Sequence, residues 1–161
     1  MSPTSGSEPM RADAADEPRR LDDFPHTWPM PTRWADNDHY GHVNNVTYYA
    51  YFDTAVNAYL MAATGTDIRE FEAIGLVVET ACRYLAPLSF PDELVVGLAV
   101  TRLGNSSITY RIALFRADDQ EPAALARFVH VYVDRTDQRT AVPIPGPIRA
   151  AVLPLVVDAA G

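Results

Sequence analysis

Residues 44–65 read Asn44-Asn45-Val46-Thr47-Tyr48-Tyr49-Ala50-Tyr51-Phe52-Asp53-Thr54-Ala55-Val56-Asn57-Ala58-Tyr59-Leu60-Met61-Ala62-Ala63-Thr64-Gly65, and the architecture follows from them. Val46, Tyr49, Phe52, Val56, Tyr59 and Leu60 recur at helical spacing, which predicts a helix from about Val46 to Ala63. Asn45 or Asn44 can cap it, because a short side-chain oxygen accepts from the N–H groups of the first turn. Gly65 is the expected stop. The remaining positions are mostly Tyr, Ala, Leu and Met, so the helix is apolar nearly all round. Such a helix is expected to be wrapped by other structure rather than laid on a surface.

Outward from the helix, the second half of the chain reads as strands. Residues 75–85, 93–103, 106–117 and 123–135 are rich in Val, Ile, Leu, Tyr and Thr. Gly104-Asn105 separates two of these runs as a two-residue hairpin turn. Asp118-Asp119-Gln120 makes a second tight connection, and Pro87 and Pro91 bracket the link between the first two runs. These features predict an antiparallel meander, followed by a short helix at 148–153. Upstream of the helix, residues 27–35 predict a strand in which Pro29 and Pro31 lie two apart. Their missing N–H groups point to one side, as on an edge strand. The fold class is therefore α+β, with an antiparallel sheet around a long central helix.

Proline gathers at both ends of the chain and breaks regular elements there. The expected organisation is a disordered tail over residues 1–25, one domain over 26–150 and a C-terminal tail over 151–161. At about 150 residues per domain, 161 residues suit a single domain. The formal charge is −8, and all thirteen basic residues are arginine. That balance argues against binding nucleic acid or an anionic membrane surface, both of which need basic surface. Only residues 80–117 are net basic, with four arginines against two acids. Cys82 is the sole cysteine, so no internal disulfide is available. Residues 1–24 lack a secretion signal, and no run reaches the ~18 apolar residues of a membrane span. A cytoplasmic protein is expected.

Polar density peaks at Asp36-Asn37-Asp38-His39-Tyr40-Gly41-His42-Val43-Asn44-Asn45, just before the helix. A carboxylate there can act as base or nucleophile. The first N–H groups of the helix suit a developing oxyanion. Gly41 lets the backbone turn or approach a ligand closely. The plainer alternative is an Asx-rich turn that only caps the helix. His39 and His42 with their flanking carboxylates raise a metal site, but no distant ligand is indicated and no metal is expected. Cys82 lies mid-strand with nothing nearby to lower its pKa, which points to packing. Ser106 and Ser107 belong to the hairpin, because the glycine-framed elbow of a serine hydrolase is missing.

The run from Asp36 through Asp53 resembles the signature of hotdog-fold acyl-CoA thioesterases of the 4-hydroxybenzoyl-CoA thioesterase type. It holds an aspartate pair one residue apart, then Gly41-His42-Val43-Asn44-Asn45, a tyrosine three residues on, and Tyr51-Phe52-Asp53. Arg83-Tyr84-Leu85-Ala86-Pro87, Leu103-Gly104-Asn105-Ser106-Ser107, Val129–Asp134 and Pro143-Ile144-Pro145 extend it over residues 27–150. The resemblance implies a sheet wrapped around the central helix, and a homodimer or homotetramer with active sites between subunits. It implies hydrolysis of acyl-CoA or acyl-carrier-protein thioesters without a cofactor, coenzyme A being part of the substrate. Asp38 matches the catalytic aspartate, attacking the carbonyl or activating a water. Asn45 matches the position whose backbone N–H polarises the thioester oxygen. Gly41 and His42 line the same loop, and His42 orients Asp38, contacts substrate or only anchors the loop. Asp36 reads as structural. Tyr48 and Tyr49 are candidates for the acyl site, and Arg102, Arg111 and Arg116 of the hairpin strands, with Arg135 and Arg139, for the coenzyme A phosphates. Asp53 and Val56 stand where family members often carry Glu and Arg, so a helix ion pair is not expected. A non-catalytic hotdog module that binds acyl thioesters or acts as a dimeric scaffold is the alternative reading.

Overall fold

A computed structural model describes residues 17–157. Its central element is helix α1, Asn45–Thr64. Asn44 caps it, with Oδ1 accepting the Val46 N–H at 3.0 Å. Gly65 ends it at φ +64°, a left-handed conformation that glycine adopts without strain. Five strands form one antiparallel sheet: β1 His26–Pro31, β2 Ala73–Tyr84, β3 Glu93–Leu103, β4 Ser107–Arg116 and β5 Ala124–Asp134. Their order is β1-β3-β4-β5-β2. A short helix, α2 Gly146–Val152, follows the sheet. Among the described residues no helix is long and apolar enough to cross a membrane.

The strands alternate side chains between two faces. Tyr110, Ile112 and Leu114 of β4 pack with Phe52 and Val56 of α1 in the main core. Ala113 and Phe115 of the same strand join Phe24, Ala99 and Leu125 in a smaller cluster on the opposite face. The sheet therefore has an inner face against α1 and an outer face elsewhere.

The structure differs from the sequence reading in several respects. β1 is an edge strand, as its prolines require, but it ends at Pro31 rather than near Trp34. Asp36 captures the Arg33 N–H and turns Trp34–Asp36 into a single 3-10 turn. Only β3, β4 and β5 form a meander. β2 pairs with β5 instead of β3, because residues 85–92 run past the polar loop before turning at Ser89–Asp92, so no hairpin joins the two strands. The β3–β4 turn is centred on Asn105-Ser106, one residue later than expected, with the Gly104 N–H donating to the Ser107 carbonyl at 2.9 Å.

The described parts of both expected tails pack against the sheet; residues 1–16 and 158–161 lie outside the described residues. Residues 17–25 lie on the outer face, where Phe24 is buried and the Leu21 N–H reaches the Gln120 carbonyl at 3.2 Å. Leu155, in the expected C-terminal tail, is buried in the main core, and the Val157 N–H bonds the Val100 carbonyl at 2.9 Å. Apolar surface on each segment explains this, since it has sheet to cover.

Phe24 sits so close over Gly97 that a Cβ there would lie 2.6 Å from its Cγ. Gly97→Ala is expected to destabilise by about 1–3 kcal/mol through overpacking. Thermal denaturation should show a Tm drop of roughly 2–12 °C, largely recovered in Gly97→Ala with Phe24→Leu.

α1 is not wrapped all round within one chain. Tyr48, Tyr51, Phe52, Ala55, Val56 and Leu60 are buried, whereas Val46, Ala50, Thr54 and Met61 form an exposed stripe. One sheet covers one side of a helix. Along the free edge of the sheet, Leu76, Val77 and Val78 of β2 are exposed as well.

Candidate functional site

The loop before α1 is built on Asp36, which is only 1% exposed. Its Oδ2 accepts the Arg33 N–H at 2.8 Å and the Tyr51 hydroxyl at 2.6 Å. Its Oδ1 accepts Arg33 Nε at 3.2 Å and Nη2 at 2.9 Å. Its carbonyl accepts the Asn44 N–H at 2.9 Å. Burial works to raise this carboxyl, but the Tyr51 hydroxyl and the Arg33 N–H and guanidinium outweigh it. Together they hold Asp36 below the usual carboxylate value. Tyr51 belongs to α1, so this carboxylate ties loop to helix.

Asp38 is half-buried. Its Oδ1 accepts the backbone N–H groups of Tyr40 at 2.9 Å and His42 at 3.2 Å. Its own N–H donates to the His42 carbonyl at 2.7 Å, and its carbonyl accepts the Gly41 N–H at 3.1 Å. Gly41 has φ +82°, which a side chain would strain. One carboxylate oxygen is thus pinned by backbone, and among the described residues Oδ2 has no hydrogen-bond partner. His42 meets Asp38 through its main chain, and its ring is exposed.

A segment the sequence reading did not single out holds the loop from behind. The Leu88 carbonyl accepts the Val43 N–H at 2.7 Å. Ser89 Oγ donates to the Gly41 carbonyl at 2.7 Å, and the Phe90 N–H donates to Asn37 Oδ1 at 3.0 Å. These partners lie some fifty positions along the chain, beyond the reach of local pattern.

The start of α1 completes the site. The Asn45 N–H, in the first helical turn, has no intrahelical acceptor by geometry. Tyr84 donates its hydroxyl to the Asn45 carbonyl at 3.1 Å and packs edge-on against Tyr48, with ring centroids 5.0 Å apart. The sequence reading gave Tyr84 only as part of a strand motif. Tyr48 is buried, and Tyr49 stacks on Phe128 of β5. The half-buried Cys82 thiol is pushed up to about 11 by burial, which keeps it protonated and unreactive. Asp38, Gly41, His42, Asn45, Tyr48 and Tyr49 are therefore gathered around one loop and one helix terminus. Among the described residues no group of three or more His, Cys, Asp or Glu side chains is placed to hold a metal ion.

Arg102 and Arg111 do not join them. Arg111 shares the outer face with Ala113 and Phe115, away from α1. It is 5% exposed, its Nη1 pairs with Glu17 at 3.0 Å and its Nε donates to the Pro18 carbonyl at 3.2 Å. Arg102 stands opposite Thr109, on the same outer side. It lies nine residues from the Glu93 end of β3 that borders the loop, about 30 Å along the strand. The arginines at the loop are Arg33 and the third hairpin-strand candidate, Arg116. Arg33 braces Asp36, and Arg116 donates Nη2 to the Pro87 carbonyl at 2.6 Å while its Nε lies 3.4 Å from Asp92.

Comparison with known proteins places this geometry. A family model described as the thioesterase-like superfamily matches residues 32–152. The crystal structure of the PA5185 protein of Pseudomonas aeruginosa is 52% identical, with a TM-score of 0.83 over 88% of this chain and 99% of that one. A second Pseudomonas aeruginosa structure, described as a putative thioesterase, is 34% identical, with a TM-score of 0.73 over 80% and 98%. A Thermus thermophilus thioesterase complexed with coenzyme A and Zn is 29% identical, with a TM-score of 0.67 over 80% and 92%. Comparison with curated proteins returned no match.

Proposed function

We propose that this chain, which belongs to the thioesterase-like superfamily, hydrolyses acyl thioesters of coenzyme A or of an acyl carrier protein, with Asp38 as its catalytic group. The fold is the hotdog fold, α+β, with the sheet against one side of the long helix. The observation that carries the reading is the Asp38 carboxylate, one oxygen fixed by two backbone N–H groups and the other without a partner among the described residues, beside the start of α1.

The chemistry follows from that arrangement. The thioester carbonyl oxygen is received by the Asn45 N–H, where the helix dipole favours developing negative charge. Tyr84, bonded to the Asn45 carbonyl, steadies that first turn. Asp38 Oδ2 attacks the carbonyl carbon, or removes a proton from a water that does. Direct attack expels the thiolate and leaves a mixed anhydride on Asp38, which a water then hydrolyses; water attack expels the thiolate in one acyl transfer, and both routes end in a free acid and a thiol. The Tyr40 and His42 N–H groups hold the carboxylate, Gly41 supplies the turn between them, and Tyr48 and Tyr49 flank the acyl side. This is the chemistry of the 4-hydroxybenzoyl-CoA thioesterase type, and no cofactor enters it.

A homodimer or homotetramer belongs to the same proposal. The free edge of β2 exposes Leu76, Val77 and Val78, and α1 exposes Val46 and Met61. Unpaired strand edges with apolar side chains invite pairing with a second copy. A cytoplasmic location suits the single cysteine and the substrate.

The test is release of free thiol from a panel of short, long and aromatic acyl-CoAs and an acyl carrier protein. Turnover of at least one is the expected result. Saturable binding without turnover of any would make the protein an acyl-thioester-binding module instead.

A further inference from the structure

The rim of the Asp38 loop carries aromatic surface that the reaction does not use. Trp34 is 77% exposed although it sits in an ordered 3-10 turn. Its ring meets that of Phe90 edge-on, with centroids 6.0 Å apart. Phe90 is tied to the loop through its N–H on Asn37, the residue before Asp38. Beside Trp34, the Arg33 guanidinium is immobilised through Nε and Nη2 on Asp36, yet its side chain is 76% exposed. A guanidinium has five N–H donors in a rigid fork, so its Nη1 side stays open to solvent.

Aromatic faces and a fixed cation together select a particular kind of ligand. The thiol released from either class of substrate is a pantetheine arm, made of amides and methylenes and ending in a phosphate. Trp34 and Phe90 border the loop that carries Asp38, so an arm whose sulfur sits at Asp38 has them within its path. Amide planes and methylenes pack on aromatic rings, and phosphate oxygens match a guanidinium fork. The chain as a whole is −8, so an anionic substrate needs a local cation beside the site. Arg33 is the cation placed there with an open edge.

We propose that Trp34, Phe90 and Arg33 form the binding surface for the phosphopantetheine arm of the substrate. This rests on the thioester-hydrolase reading and says which part of the substrate lies where. The arm is common to coenzyme A and carrier protein, so both sources should use the surface.

The experiment compares kcat/KM for one acyl group carried on coenzyme A, on phosphopantetheinylated carrier protein, and on N-acetylcysteamine, which lacks most of the arm and its phosphate. In Trp34→Ala the preference for the coenzyme A thioester over the N-acetylcysteamine thioester should fall about tenfold, through KM. Arg33→Met should reduce the same preference, and free coenzyme A should quench tryptophan fluorescence saturably in the wild type but not in Trp34→Ala. A parallel loss on the carrier-protein thioester supports the arm as the shared ligand. An unchanged preference overturns the proposal. So does a change of elution volume in gel filtration, which would assign Trp34 to contact with a second copy. If the wild type cleaves none of the three thioesters but its fluorescence still answers to coenzyme A, the hydrolase reading fails and the binding surface stands.

Discussion

Asp38→Asn should lower thiol release by about a hundredfold to ten-thousandfold, the span that a single acid–base group commands. The amide keeps one carbonyl oxygen, and that atom can still accept the Tyr40 and His42 N–H groups as Oδ1 does. What it lacks is negative charge on the second oxygen, which both routes to hydrolysis require. The fold should be nearly unaffected, with a stability change within about 0.5 kcal/mol. Chromogenic thiol detection and thermal denaturation on the same preparation check both parts. Full activity in the variant would remove Asp38 from the reaction and leave the fold as it is. In the wild type, a single turnover in 18O-labelled water followed by mass spectrometry of acid and protein tests direct attack. Unlabelled acid with 18O in Asp38 establishes a mixed anhydride opened at the Asp38 carboxyl carbon, whereas activated water puts the label in the acid and leaves Asp38 unlabelled.

Local signals carried much of this structure. The Asn44 cap, the Gly65 stop and the apolar spacing place α1 within a residue of its observed ends. The β3 and β5 runs came out nearly as read, because β-branched alternation bounded by turn residues is also local. What escaped was non-local. β2 finds its partner across the sheet, and no property of residues 85–92 states that it is β5. Strand alternation puts Arg111 with Ala113 and Phe115, but not on a particular side of the sheet. In most globular strands the polar face betrays the outside; here both faces of β4 are buried, since residues 17–24 cover the outer one. With that cue missing, a buried structural arginine looks like a substrate ligand. The site divides in the same way. Asp36, Asp38, Gly41 and Asn45 sit in one run of sequence, while Ser89, Phe90 and Tyr84 reach it only through tertiary contact.

Asp36→Ala should be among the most destabilising substitutions in the chain, although Asp36 touches no reacting atom. Its loss leaves the Tyr51 hydroxyl buried without an acceptor and frees the Arg33 N–H that turns the chain. A buried unsatisfied group costs about 1–3 kcal/mol. Arg33 is exposed and regains water, so the full penalty of a broken buried ion pair does not apply. The expected total is about 3 kcal/mol, or roughly 6–12 °C in Tm. Asp36→Ala with Tyr51→Phe should recover part of it, because the second change removes the orphaned hydroxyl. The pH dependence has a definite sign. The folded carboxyl lies below its ordinary value, so the folded state favours the charged form. Its contribution is complete above the unfolded value of about 4 and is lost as pH falls through the folded one. The wild type should therefore lose more stability than Asp36→Ala on acidification below about pH 4, and the two Tm curves should converge. Parallel curves down to pH 2 would mean that Asp36 acts through shape alone, not through its charge.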